Sequence, residues 1–245
     1  MKCTPMIFNT EMVSALLEGH KIVTRRPLKP QPTKSGRGYI HWHSNIYKTM
    51  VNLDAVNSLS MLEGFLSASD ICPVASIGDL IWVRETFQGP LFDTEKMPEY
   101  QENSTKFETP EYCIYAATDK KQEFYDMDDN LICRWRPSIH MPRWASRITL
   151  KVTDVRIERV KEITDAQAEK EGMMTTEASQ NAAIAGGLGW FERPSVQFKN
   201  LWQRIYENWE SNPYVWVIEF EVINQNIDKY ISKMNDDQKE TLAQI

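Results

Sequence analysis

Two stretches of alternating residues limit what this chain can fold into. Over residues 214–223, Trp216, Ile218, Phe220 and Val222 alternate with Glu219 and Glu221, the period of a strand with a buried face. Over residues 147–160, Ile148, Leu150 and Val152 alternate in the same way, but Val155 and Ile157 continue in the opposite phase. Strand side chains repeat every two residues, so the slip at Thr153-Asp154 predicts a bulge or sharp bend. A third strand is expected over 80–87, after a turn at Gly78-Asp79. It puts Leu80, Trp82 and Arg84 on one face and Ile81, Val83 and Glu85 on the other. Residues 6–8 and 113–117 are shorter strand candidates. Amphipathic helices are expected over 10–18, where Met12, Val13, Leu16 and Leu17 share a face, and over 195–209. In the second, Phe198, Leu201, Trp202, Ile205, Tyr206 and Trp209 form one apolar stripe. Short strands mixed with a few helices suit an α+β fold, a small mixed β-barrel with helices packed around it, rather than a doubly wound parallel sheet.

Chemistry concentrates in Gly19-His20-Lys21-Ile22-Val23-Thr24-Arg25-Arg26-Pro27. Thr10 is placed to cap the preceding helix and Gly19 to end it. A lysine, a hydroxyl and two guanidiniums then crowd into a short stretch, and Pro27 sets the chain's exit direction. Lys21 and Thr24 are three residues apart, so a plain strand would point them to opposite faces. If they act together, the segment turns or bulges between them. Further along, Thr164 and Gln167 form a capping box for a helix that ends near Glu171-Gly172. Glu171 then sits in the last turn, where the helix dipole disfavours a negative charge.

The chain of 245 residues carries 42% hydrophobic residues and eight tryptophans, enough to bury a substantial core. No apolar run reaches the length of a membrane span, and the N-terminus has no apolar signal core, so a cytoplasmic protein without membrane contact is expected. Cys3, Cys72, Cys113 and Cys133 are widely spaced and read as reduced thiols, not as a structural zinc site. His41 and His43 lie on one face of an expected aromatic-rich hairpin with no third ligand in sight, so neither a metal nor a cofactor is expected. A net charge of −6 argues against non-specific binding to nucleic acid. It leaves room for a local patch in which Arg25, Arg26, Arg84, Arg134, Arg136, Arg143 and Arg147 converge.

The remaining segments read as insertions near 31–75, 88–111, 119–135 and 174–194, in a single domain over 1–223. A weak helix is expected at 53–65, a polar loop at 88–111 and an acidic hairpin tip at 119–130. Residues 174–194, with Ala185-Gly186-Gly187-Leu188-Gly189, read as a flexible lid or insertion. That glycine run is no phosphate loop, because it does not join a strand to a helix in a βαβ unit. Residues 224–245 read as a polar tail helix. Residues 135–147 gather two tryptophans, two prolines and three arginines around His140, either a packed cap on the barrel or a stacking platform for a base.

Gly19-x-Lys21-x-x-x-x-Arg26 resembles the signature of the ASCH domain, a small β-barrel of the PUA-like class. Many members have Glu where this chain has Thr24. The Lys-x-x-Thr-x-Arg version is similar to a subgroup that hydrolyses N4-acylated cytidines. Ala168-Glu169-Lys170-Glu171-Gly172-Met173 is similar to that subgroup's Ala-Glu-x-Glu-x-Met. The resemblance covers 5–30, 76–90, 140–175 and 195–223, and residues 136–147 look like long ASCH proteins of phages and prophages. It implies Lys21, Thr24 and Glu171 as catalytic groups, with Lys21 the base, Thr24 the nucleophile and Glu171 the carboxylate that handles protons. Arg26, Arg84, Glu85, His140 and Arg143 are the residues expected to bind substrate.

Three functions follow as expectations. The first is a metal-independent amidohydrolase acting on N4-acetylcytidine-like nucleosides, active as a monomer. The second is a module that binds RNA or a modified base, with ribonuclease activity as a variant. The third is an interaction protein of a phage or prophage, with the insertions as contact surfaces.

Overall fold

The two alternating segments pair with each other along their whole length. The protein is described by a computed structural model covering residues 1–59, 66–119, 124–125, 131–132 and 134–243. Its main sheet is built from β1 (Cys3–Ile7), β2 (Val23–Pro27), β3 (Leu80–Arg84), β4 (Thr149–Arg159) and β5 (Tyr214–Ile223). The strand order is β1-β3-β4-β5-β2, with β1 and β3 parallel and the other pairs antiparallel. This is an α+β protein with a mixed five-stranded sheet.

The expected slip in β4 is a register shift between Val152 and Asp154. It has a clear packing consequence. Leu150 and Val152 before it and Val155 and Ile157 after it all enter one core, with Trp216, Ile218 and Phe220 of β5. Without the extra residue, half of β4 would turn its apolar side chains to the other face. That other face is not solvated either. Val215 and Val217 pack there against Val23, Val160, Phe198 and Trp202. Helix α1 (Thr10–Leu17) covers the first face through Val13 and Leu16. Helices α2 (Asp165–Lys170) and α3 (Pro194–Tyr206) cover the second through Ala168, Phe198 and Trp202.

The two edges of the sheet, β1 and β2, have no ladder between them. They nevertheless approach each other, because Arg26 on β2 donates from Nη2 to the Ile7 carbonyl of β1 at 2.8 Å.

Several expectations need correction. The strand expected over 80–87 stops at Arg84, and Phe87–Gln88 pairs separately with Ile114–Tyr115. Asn9, not Thr10, caps α1, its side chain accepting from the Met12 amide at 2.8 Å. The stripe expected over 195–209 is interrupted: α3 ends at Tyr206, Trp209 lies in a following 3-10 turn, and Ile205 is exposed. The aromatic hairpin is a three-stranded unit of Thr33–Lys34, Ile40–Ser44 and Thr49–Asn52. Its Trp42 is buried, edge-on to Trp216 with ring centres 5.4 Å apart.

The segment 88–111 is not a plain loop. It carries a helix at Met97–Glu102 and an aromatic cluster in which Phe92, Tyr100 and Tyr112 surround buried Phe107. Within 174–194 a ten-residue helix spans Thr176–Ala185, with Thr175 capping it through the Ala178 amide. Helix α4 (Ile227–Ala243) docks rather than trails, burying Ile227 against Leu80 and Trp82. The helix expected over 53–65 is present as Leu53–Leu59, and its second part lies outside the described residues. Of the acidic tip beyond Asp119, only the pairing of Phe124–Tyr125 with Leu131–Ile132 is described. Cys3, Cys72 and Cys113 are free thiols, and Cys133 lies outside the described residues. No helix among the described residues is long and apolar enough to cross a membrane.

Trp42 therefore anchors an insertion to the main core. Trp42→Ala is expected to cost about 3–5 kcal/mol in urea unfolding. Exposed Trp190→Ala should cost less than about 0.5 kcal/mol. Equal costs would show that the hairpin does not share the core.

Candidate active site

Two helix ends meet at the site. After α1, Gly19 takes a left-handed φ of 75°, which turns the chain back on the helix. The amides of His20 and Lys21 both donate to the Ala15 carbonyl, at 2.9 and 3.0 Å. At the other end, Thr164 and Gln167 cap α2 reciprocally, and the helix closes at Glu171 and Gly172. Gly172 has φ 92°, and a Cβ there would stand 2.8 Å from the Ala15 Cβ and 3.2 Å from the Lys21 Cβ. The two ends touch so closely that only hydrogen fits between them. Lys21 and Glu171 form an isolated antiparallel bridge, the Ile22 amide donates to the Lys170 carbonyl at 2.9 Å, and β2 begins one residue later at Val23. Lys21 thus lies outside the regular ladder while Thr24 lies within it.

The Lys21 side chain has no exposed surface. Its Nζ donates to Glu171 Oε2 at 2.6 Å and to the Glu171 carbonyl at 2.8 Å. Arg25, equally buried, places Nη1 3.1 Å from Glu171 Oε1 and Nη2 3.0 Å from Glu158 Oε2. Arg156 extends the network, with Nε 2.6 Å from Glu158 Oε1 and Nη1 2.6 Å from Glu219 Oε1. Burial pushes the Lys21 pKa down; the Glu171 carboxylate opposes this, and Arg26 and Arg25 reinforce it. The net direction is downward. Arg25 already matches the Glu171 charge, so a neutral lysine does not leave a buried carboxylate unpaired.

Beside this cluster is a cavity of about 220 Å³. Its polar wall is Asn9, Thr24, Arg25, Arg26 and Glu171, and its apolar wall includes Phe198, Trp202 and Tyr206 from α3. Lys21 is not on the wall; its partner Glu171 is. Among the described residues no hydrogen bond satisfies the Thr24 hydroxyl. Arg26 is held by the Ile7 carbonyl and lies 5.2 Å from the Phe8 ring centre, with Tyr206 Oη 3.5 Å from Nη1. A wider depression of about 570 Å³ adjoins the cavity, sharing Met12, Glu171 and Leu201 and adding Glu11, Glu192 and Arg204.

The structure thus brings Lys21, Thr24, Glu171 and Arg26 to one place. Arg84, Glu85, His140 and Arg143 do not line the cavity. Arg84 donates from Nη2 to the Ile139 carbonyl and lies 5.6 Å from the Trp82 ring centre. Glu85 is buried and grips Arg147 through two contacts of 2.9 and 3.0 Å; burial raises its pKa and Arg147 opposes the rise. Arg143 pairs with Asp228 of α4 at 2.6 Å. His140 lines a separate recess with Arg134, Trp135 and Arg136. The seven arginines considered for one basic face are therefore divided, and Arg25, Arg143 and Arg147 are matched by carboxylates. Among the described residues no group of three or more His, Cys, Asp or Glu is placed to hold a metal ion.

Sequence reasoning missed Glu158 as the second partner of Arg25, and it read Phe198, Trp202 and Tyr206 only as part of one apolar helix stripe. The four-residue spacing of those aromatics signals a face, but not that the face is shared between core and cavity. No family model, no curated protein and no solved structure matches the chain. The fold and site define an α+β protein in which a buried lysine–glutamate–arginine cluster abuts an aromatic-walled cavity.

Two outcomes follow. Gly172→Ala should cost about 2–4 kcal/mol, combining the left-handed penalty with the close contact. Gly19→Ala, with no atom within 4 Å of the new Cβ, should cost about 1–2 kcal/mol; equal values would deny the contact between helix ends. The second concerns pH. The folded pKa of Lys21 is below the ordinary 10.5, so between the two values the unfolded chain holds the extra proton and stability rises with pH. The wild type should gain stability relative to Lys21→Met as pH is raised from 6 toward 10, measured by urea unfolding at each pH. A flat or falling difference would mean that burial does not dominate.

Proposed function

We propose that this chain is a metal-independent amidohydrolase that removes an acyl group from the exocyclic N4 of an acylated cytidine nucleoside. One observation carries the reading. Lys21 Nζ lies 2.6 Å from the Glu171 carboxylate, and Glu171 and Thr24 share the wall of one cavity. The resemblance of residues 19–26 and 168–173 to the ASCH subgroup that hydrolyses N4-acylated cytidines supports the same three residues. The sheet is read as a PUA-like barrel whose seam lies between β1 and β2. The Arg26–Ile7 hydrogen bond across that seam supports this.

In the proposed reaction Lys21 is neutral. Thr24 gives its hydroxyl proton to Lys21 Nζ as its oxygen bonds to the acyl carbon. Arg26 steadies the oxyanion that forms. The C–N4 bond then breaks, and the nitrogen of cytidine leaves with the proton from Lys21. Water then attacks the Thr24 ester and passes one proton to Lys21; as the bond between the Thr24 oxygen and the acyl carbon breaks, Lys21 returns that proton to the Thr24 oxygen, and the carboxylic acid is released. Glu171 holds Lys21 in place throughout and, matched by Arg25, tolerates the loss of the lysine's charge. Phe198, Trp202 and Tyr206 offer the flat apolar surface that a pyrimidine or acyl group needs.

The experiment is incubation of chelator-treated protein with N4-acetylcytidine, followed by chromatography for cytidine. Wild-type protein should release it. Lys21→Arg and Lys21→Ala should each lose about 10²–10⁴-fold in turnover, because arginine keeps the charge but does not give up its proton near neutrality. An active Lys21→Arg protein would sink the base assignment. No release by the wild type would leave the binding-module reading, in which the same cavity holds a modified base or RNA without turnover.

A further inference from the structure

The recess around His140 shares no lining residue with the cavity beside Glu171. It encloses about 500 Å³ between Gln88, Arg134, Trp135, Arg136, Pro137 and His140, a volume usual for a small-molecule site. In a chain of net charge −6, no carboxylate lines it among the described residues. Arg134 is exposed, without a carboxylate partner among the described residues. Arg136 donates from Nη1 to the Gly89 carbonyl at 3.0 Å and lies 5.1 Å from the Phe87 ring centre. Neither contact cancels its charge. Arg84 adds a further guanidinium nearby, donating to the carbonyl of Ile139.

The recess is also firmly built. Arg136 and Phe87 exchange both backbone hydrogen bonds, at 2.9 and 3.2 Å, and Phe87 is fully buried. Pro137 leads into the 3-10 turn Ser138–His140. Among the described residues, Gln88 Oε1 in the lining is buried without a hydrogen bond. A bare acceptor of that kind calls for a donor from a ligand, an amino or hydroxyl group.

Guanidiniums recognise phosphate oxygens through paired N–H groups. An indole beside them gives a base a surface to stack on. A nucleotide offers phosphate, flat base and N–H or O–H donor in one molecule. We propose that this recess is a nucleotide-binding site, with phosphate at Arg134, Arg136 and His140, the base on Trp135 and a donor group on Gln88 Oε1. The same chemistry is carried by a free nucleotide and by a single strand of RNA.

Titration separates these sources and needs no turnover, so it reads the recess whether or not the hydrolase reading holds. Wild-type protein, Arg134→Glu and Trp135→Leu are titrated with CMP, a fluorescent ten-residue RNA and inorganic phosphate, with circular dichroism confirming the fold of each. CMP or the RNA should bind tighter than about 1 mM, and Arg134→Glu should weaken binding at least about tenfold, with Trp135→Leu also weaker. For RNA, the milder Arg134→Gln should flatten the dependence of log affinity on log salt by about 0.7. Binding of CMP as tight as that of RNA assigns a free nucleotide, and binding of RNA alone assigns a strand. The proposal is overturned if neither binds, if inorganic phosphate binds as tightly as CMP, or if Arg134→Glu leaves affinity unchanged.

Discussion

A lysine side chain with no exposed surface must find its partners inside the protein, and here that demand joins residues 150 apart in sequence. Buried groups of this kind are tolerated only when each finds a hydrogen-bonding partner. Lys21, Arg25, Glu158 and Glu171 answer one another. To do so, the end of α1, the start of β2, the middle of the sheet and the end of α2 must stand in one arrangement. Gly172 permits the approach by having no side chain between the helix ends. The left-handed turn at Gly19 brings Lys21 to the meeting point.

The β4–β5 ladder supplies the rigid frame for that meeting. It runs from Thr149 paired with Ile223 to Arg159 paired with Tyr214, and both of its faces are packed. The bulge in β4 keeps Leu150 and Ile157 in one core although they differ in phase. Glu158, near the end of β4, is thereby held beside Arg25. Strand β2 joins the sheet only through β5, which leaves its far side free for the cavity. The segments between the main strands add packing of their own. Trp42 meets Trp216 edge-on, Phe107 gathers three aromatic rings, and Asp228 of α4 holds Arg143.

Charge is partitioned rather than spread. The guanidiniums of Arg25 and Arg147 are turned inward onto carboxylates, while Arg134 and Arg136 line an open recess with none among the described residues. Among the described residues a net negative protein thus keeps a small concavity whose charged lining is basic, a condition that the overall charge does not reveal.

Periodicity by itself determined the two long strands, the bulge between Val152 and Asp154, the helix after Asn9 and the opposite faces of β3, and a capping box marked the helix after Thr164. These depend on local side-chain spacing, which the chain carries wherever it sits. The pattern at Lys21, Thr24, Arg26 and Glu171 was also legible, through the resemblance of two short segments, although nothing local joins them. Tertiary structure decided the rest. It made Glu158 the partner of Arg25 and Arg147 the partner of Glu85, because residues more than sixty positions apart meet only when strands align. It also turned Phe198, Trp202 and Tyr206 into a cavity wall as well as core. An apolar helix face looks the same in sequence whether another element covers all of it or a gap at a sheet edge leaves part of it open.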